Sequence, residues 1–177
     1  MQRWILAATG LFALGLSISA AADELKVGDA APEFEMVGTD GKTYKLSDFK
    51  GKQAVVLAWY PRAATPGCTK ECKSFKTQGA EMRKFDVAYF TASCDPVQKN
   101  KDFAASLDLD YPILSDPDAS VAVKYGLTTP EKKTASRTTF IIGADGKILD
   151  IERKVNTENH GADIAKKLAE LKIPAAK

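Results

Sequence analysis

Histidine is almost absent from this chain: His160 is the only one in 177 residues. A cysteine-histidine hydrolase would have to use it, and its setting, NTENHGAD, reads as the solvated start of a closing helix. Also missing are an acid pair of glycosidase character, a glycine loop that could cradle phosphate, and any nucleic-acid module. Asp40-Gly41 and Asp145-Gly146 are turn signals, not calcium loops. Charge of one sign is lacking as well, since 25 basic residues face 23 acidic ones for a formal net charge of +2. So near-neutral a balance excludes a nucleic-acid footprint and an electrostatic membrane patch. No linker, repeat or low-complexity tract divides the chain. Cysteine is scarce and odd in number: with three, at least one stays unpaired within a monomer, which suits a working thiol better than a structural staple.

A long apolar run occurs only at the start, and it is too short for a span. Met1 to Arg3 is a short basic opening, Trp4 to Ile18 an apolar core broken by Gly10 and Gly15, and Ala20-Ala21-Ala22 a small-residue cleavage site. A membrane helix needs about 20 apolar residues. Residues 1–22 are therefore expected to be a signal peptide and 23–177 a single domain of about 155 residues, enough for a real core. The expected product is exported, periplasmic or secreted, with no membrane association once the leader is gone. No cysteine follows the small residues, which argues against lipid attachment.

What is present centres on Tyr60 to Cys72, YPRAATPGCTKEC. Ala54 to Tyr60 is a continuous apolar run, the pattern of a strand buried on both faces. Thr65 can serve as N-cap and Pro66 as the first helical residue, so Cys68 falls in the first turn of a helix running to about Phe85. Free amides and the positive end of the helix dipole then face its sulfur and favour the thiolate, the nucleophilic form. Cys68, Cys72, Phe75, Gly79, Met82 and Phe85 recur at three- and four-residue steps as an inward stripe. Glu71 is expected to be an exposed helix glutamate.

Around this centre, Pro32 to Lys52 predicts a hairpin turning at Asp40-Gly41, an extension covering one end of a sheet. Val87 to Ser93 predicts a strand parallel to the first, which leads through Cys94 to a helix over Val97 to Leu107. Tyr111 to Leu114 is a short extended piece, Asp118 to Tyr125 a short helix, and Gly126 to Ser136 a polar loop. Thr138 to Gly143 and Ile148 to Val155 form a second hairpin, followed by a helix from Asn159 to Leu171. The order predicts an α/β thioredoxin fold with an N-terminal β-hairpin extension. It also places Cys94 beside the Pro61 to Gly67 loop, because catalytic groups gather at the carboxyl ends of parallel strands.

Pro61, Thr65 and Cys68 stand in a Pro-x-x-x-Thr-x-x-Cys arrangement that resembles the peroxiredoxins, and TPGCTKE is most similar to their Q-type, or bacterioferritin-comigratory, subfamily. The resemblance extends through DGKTYKLSDFKGK, YPILSD and SRTTFIIGADGKI. It implies the thioredoxin fold and a thiol peroxidase that uses no metal, haem or flavin. Its substrates would be hydrogen peroxide or an organic hydroperoxide, its reductant a thioredoxin-like dithiol protein, and its state a monomer or weak dimer. Cys68 would attack the peroxide and Arg137 would complete the site.

The chemistry fits those residues. A thiolate attacking an O–O bond needs donors for the charge that builds on the departing oxygen. Thr65 can place its hydroxyl near the sulfur, Pro61 shapes and dries the loop, and Arg137, at the start of a strand returning beside the first, offers a guanidinium fork. One position departs from the subfamily. Its resolving cysteine usually follows the nucleophile by five residues, where Lys73 stands here, and Cys72 follows by four. Cys72 is the first choice for the resolving thiol and Cys94 the rival. A thioredoxin-like reductase is disfavoured, because three residues separate Cys68 from Cys72 where that class has two. A copper-delivering protein of the Sco type is the remaining competitor, with Cys68, Cys72 and His160 as a soft Cu(I) set.

Overall fold

A computed structural model of the chain describes residues 24–176; the predicted leader lies outside the described residues. The apolar run forms β3 (Ala54–Trp59), with every residue buried. Its neighbours explain why. β4 (Val87–Ser93) pairs with it in parallel from Ala54 opposite Val87 to Trp59 opposite Ala92, and β6 (Thr138–Ile142) pairs antiparallel on its other side. Side chains alternate across the strand. Val55, Leu57 and Trp59 join Phe90, Ala92 and Phe140 in one cluster, whereas Val56 and Ala58 join Phe75, Met82, Ile164 and Leu168 on the opposite face.

The remaining strands extend the sheet to seven, in the order β2-β1-β5-β4-β3-β6-β7. β1 (Glu35–Gly38) and β2 (Thr43–Lys45) form the predicted hairpin, with Gly41 at φ +83° in its turn. The hairpin stands at one end of the sheet, as expected, and covers it by joining it. β1 pairs antiparallel with β5 (Ile113–Ser115), Val37 opposite Ser115, so the extension continues the sheet at a strand edge that would otherwise be open. β7 (Ile148–Glu152) closes the other edge. α3 (Val97–Ser106) and α4 (Ser120–Lys124) complete the crossovers. The core is the thioredoxin fold.

The long helix expected from Thr65 to Phe85 is two helices, α1 (Pro66–Thr77) and α2 (Gly79–Met82), broken at Gln78, whose φ is −104° and ψ 1°. The break serves α5 (His160–Glu170). The first amides of a helix have no partner within it, and α5 has no side-chain cap of its own. Instead Gly161 N donates to Ser74 Oγ at 2.9 Å and Ala162 N to Gln78 Oε1 at 2.7 Å. A Cβ at Gly161 would lie 2.8 Å from the Ser74 carbonyl oxygen, so only glycine allows this approach. The start of α5 is thereby pressed against α1, and His160 goes inside with it.

Candidate active site

The site is assembled where α1 begins. Thr65 is the N-cap residue and Pro66 the first helical one, but the Thr65 hydroxyl does not cap; it donates to Arg62 O at 3.1 Å. Ala64, just before, sits in the left-handed region at φ +63°, a conformation that costs a non-glycine residue of order 1 kcal/mol or more. The following carboxyl-end network holds the loop in it. Ala63 N donates to Asp95 Oδ2 at 2.7 Å, and Asp95 also receives Lys99 Nζ at 2.6 Å. Beside it Asn100, wholly buried, takes the Tyr60 hydroxyl at 2.8 Å and gives its amide to Ser115 Oγ at 2.8 Å. Pro61 lies in this clamped loop. Cys68 is thus fixed in the first turn with only 1% of its surface exposed.

Arg137 immediately precedes β6 and reaches Cys68. Its Nη2 donates to Cys68 Sγ at 3.3 Å, which sets a guanidinium charge directly against the sulfur. Gly67 makes room for it, since a Cβ there would sit 3.3 Å from Nη2. The other nitrogen, Nη1, pairs with Glu71 Oε2. Glu71 is therefore not an exposed helix glutamate: it is completely buried on the inner face of α1. A signal for this was available, because position 71 follows 68 by three residues and precedes 75 by four, on the same stripe.

His160 is likewise not a solvated residue. It is 1% exposed, its Nε2 lies 3.0 Å from Thr139 Oγ1, its Nδ1 3.1 Å from Glu71 Oε1, and its ring packs edge-on against Phe75 at 4.8 Å between centroids. Burial, reinforced by the Arg137 charge and opposed by Asp163 and Glu152, lowers its pKa to about 4, so the imidazole is neutral near pH 7. Thr139 stands against one ring nitrogen and the Glu71 carboxylate faces the other. Its sequence carries only a faint signal: the Gly161 that permits close packing.

The two further thiols lie on opposite faces of the sheet. Cys72, fully buried, shares a cluster with Cys68, Tyr60, Ala63, Phe103 and Ile113, and burial foremost pushes its pKa up to about 12. Cys94 belongs with Phe90 and Ala92 to the cluster that contains Trp59 and Tyr125, and burial, then the Asp116 charge, raises it to about 11. The predicted edge adjacency holds through Asp95 rather than through the Cys94 side chain. All three cysteines are free thiols.

Comparison with known proteins gives the same reading. The family model described as "AhpC/TSA family" matches residues 27–151. The chain is 33% identical over 150 residues to a putative peroxiredoxin bcp of Coxiella burnetii, covering 81% of this chain and 99% of the relative. It is 36% identical over 143 residues to the peroxiredoxin Bcp of Escherichia coli, covering 77% and 90%. Among solved structures, peroxidoxin BcpB of Mycobacterium tuberculosis superposes with a TM-score of 0.74 at 37% identity, covering 84% of this chain and 97% of that one.

Proposed function

The chain belongs to the AhpC/TSA family, among its Q-type peroxiredoxins, and on that premise we propose how its own residues carry out the thiol peroxidase reaction. The observation that carries the proposal is the Arg137 Nη2 donor 3.3 Å from a Cys68 sulfur in the first turn of α1. The Cys68 thiolate attacks one peroxide oxygen in line with the O–O bond. That bond breaks as S–O forms, and the departing hydroxide or alkoxide takes a proton to leave as water or alcohol. Arg137 holds the thiolate before attack and the oxygen charge during it. The product on the protein is a sulfenic acid.

Cys72 then supplies the second sulfur: its S–H condenses with the Cys68 sulfenic acid, releasing water and forming a disulfide. What supports Cys72 over Cys94 is the cluster it shares with Cys68, whereas the Cys94 thiol lies across the sheet. Residues four apart in a helix have Cβ atoms about 5–6 Å from each other, and a disulfide wants about 3.8 Å, so the first turn of α1 must unwind. An external thioredoxin-like dithiol reduces the disulfide and is itself oxidised. The leader supports export to the periplasm or beyond, where the enzyme works as a monomer or weak dimer.

Stopped-flow mixing of the reduced protein with hydrogen peroxide tests the chemistry. A rate no faster than that of free cysteine would remove the enzymatic reading. Peptide mapping of the oxidised protein under non-reducing conditions tests the pairing, and a dominant Cys68–Cys94 linkage would overturn it. Amino-terminal sequencing of the protein from an export-competent bacterial host tests cleavage after Ala22.

A further inference from the structure

We propose that His160 is a positioning residue for peroxide reduction, acting through Glu71 to hold the Arg137 fork against the Cys68 sulfur. The inference rests on the peroxidase reading and adds a residue that does not touch the reacting atoms. Among the described residues, Glu71 Oε1 and His160 Nδ1 are two buried polar atoms with no hydrogen-bond partner, and they face each other at 3.1 Å. A buried polar atom left unmatched costs about 1–3 kcal/mol, so two such atoms at contact distance mark a pair that a small tilt of the ring brings into line.

The protonation pattern follows from the other end of the ring. If the Thr139 hydroxyl donates to Nε2, the imidazole proton sits on Nδ1 and points at the Glu71 carboxylate; the reverse tautomer would set two lone pairs against each other. The chain of contacts then runs from Thr139 Oγ1 through the ring to Glu71, from Glu71 Oε2 to Arg137 Nη1, and from Arg137 Nη2 to Cys68 Sγ. Glu71 Oε2 already has Arg137 Nη1 as its donor, and a proton on His160 Nδ1 would give Oε1 one as well. The charged groups around His160 are Glu71 on α1, Arg137 ahead of β6, Glu152 on β7 and Asp163 on α5. The neutral ring adds no competing cation to the Glu71–Arg137 pair. Without the ring, one side of the Glu71 carboxylate is free to turn, and the guanidinium turns with it.

The test measures the second-order rate of Cys68 oxidation by hydrogen peroxide across pH, with thiolate absorbance near 240 nm and a thermal melt, in reduced wild type, His160→Leu, His160→Gln and Thr139→Val. His160→Leu is expected to slow oxidation roughly 10- to 100-fold, the scale of a misplaced reacting group, and to move the midpoint of the pH profile upward. His160→Gln keeps an N–H towards Glu71 and should recover most of the rate. Thr139→Val should lose a few-fold with a shift in the same direction, the scale of one neutral hydrogen bond. The proposal is overturned if the folded variants match wild type in rate and midpoint, or if Leu and Gln are equally slow with an unshifted midpoint, which marks packing alone. Should His160→Leu not fold, the Gln and Val variants decide by the same two readouts. A slow wild type refutes the peroxidase reading instead, and a fast wild type with indifferent variants refutes only this one.

Discussion

Cys68 and Cys94 occupy comparable addresses and have opposite characters. Each follows the carboxyl end of a central strand, β3 or β4, and those two strands run parallel in adjacent register. Cys68 lies three residues into a helix with a guanidinium nitrogen 3.3 Å from its sulfur. Cys94 precedes its helix, faces the other side of the sheet, and has acidic neighbours that, after burial, raise its pKa to about 11. The sheet edge gathers both thiols, and of the two it is Cys68 that has a helix start beneath it and a guanidinium beside its sulfur.

The largest effect that would sharpen this contrast is at the nucleophile itself. Cys68→Ser should abolish peroxide consumption in a coupled assay, because a serine hydroxyl stays protonated at neutral pH; retained activity would move the chemistry to another thiol. Next comes turnover with a dithiol reductant. Cys72→Ser should keep the first oxidation and lose repeated turnover, with the sulfenic acid visible by mass, whereas Cys94→Ser should keep both. The reverse outcome would break the comparison. Arg137→Lys should slow the first step roughly 100-fold, the scale of losing one preorganised donor, since a point charge cannot reproduce the fork; an unchanged rate in stopped flow removes Arg137 from the site.

The smallest effect is on stability and follows from His160. Its folded pKa of about 4 lies below the ordinary 6.5, so between those values the unfolded chain binds more protons than the folded one. Stability is expected to be full above pH 6.5 and to fall as the pH drops towards 4, by about 3 kcal/mol from this group. Urea midpoints at pH 7 and pH 4 measure it. His160→Gln should flatten that part of the profile, and an equal pH dependence in both proteins would count against the buried neutral ring.

Much of this was legible in the chain. The unbroken apolar run of Ala54 to Tyr60 announced a strand covered on both faces, Thr65-Pro66 announced the helix start, and SRTTFII placed Arg137 ahead of a returning strand. Glu71 was misread because a glutamate is ordinarily solvated, although its three- and four-residue spacing to Cys68 and Phe75 put it on the buried stripe. His160 was hidden for a different reason. Its burial depends on Ser74 and Gln78 capping α5 from another helix, a tertiary arrangement that local propensity does not report. The helix break falls at Gln78, one of the two residues in that arrangement, and the pairing of β1 with β5 was equally a long-range event.

Glu71 lies between Cys68 and Cys72 on α1, with Arg137 Nη1 paired to one of its carboxylate oxygens. On the proposed Cys68–Cys72 pairing, the first turn must unwind for the two sulfurs to meet, and the intervening carboxylate would be carried off Arg137 with it. The disulfide form would then lack the assembly set around the thiol, and the enzyme would rearm only once a reductant opened the bond and α1 rewound, so that the rewinding of a few residues would separate one peroxide from the next.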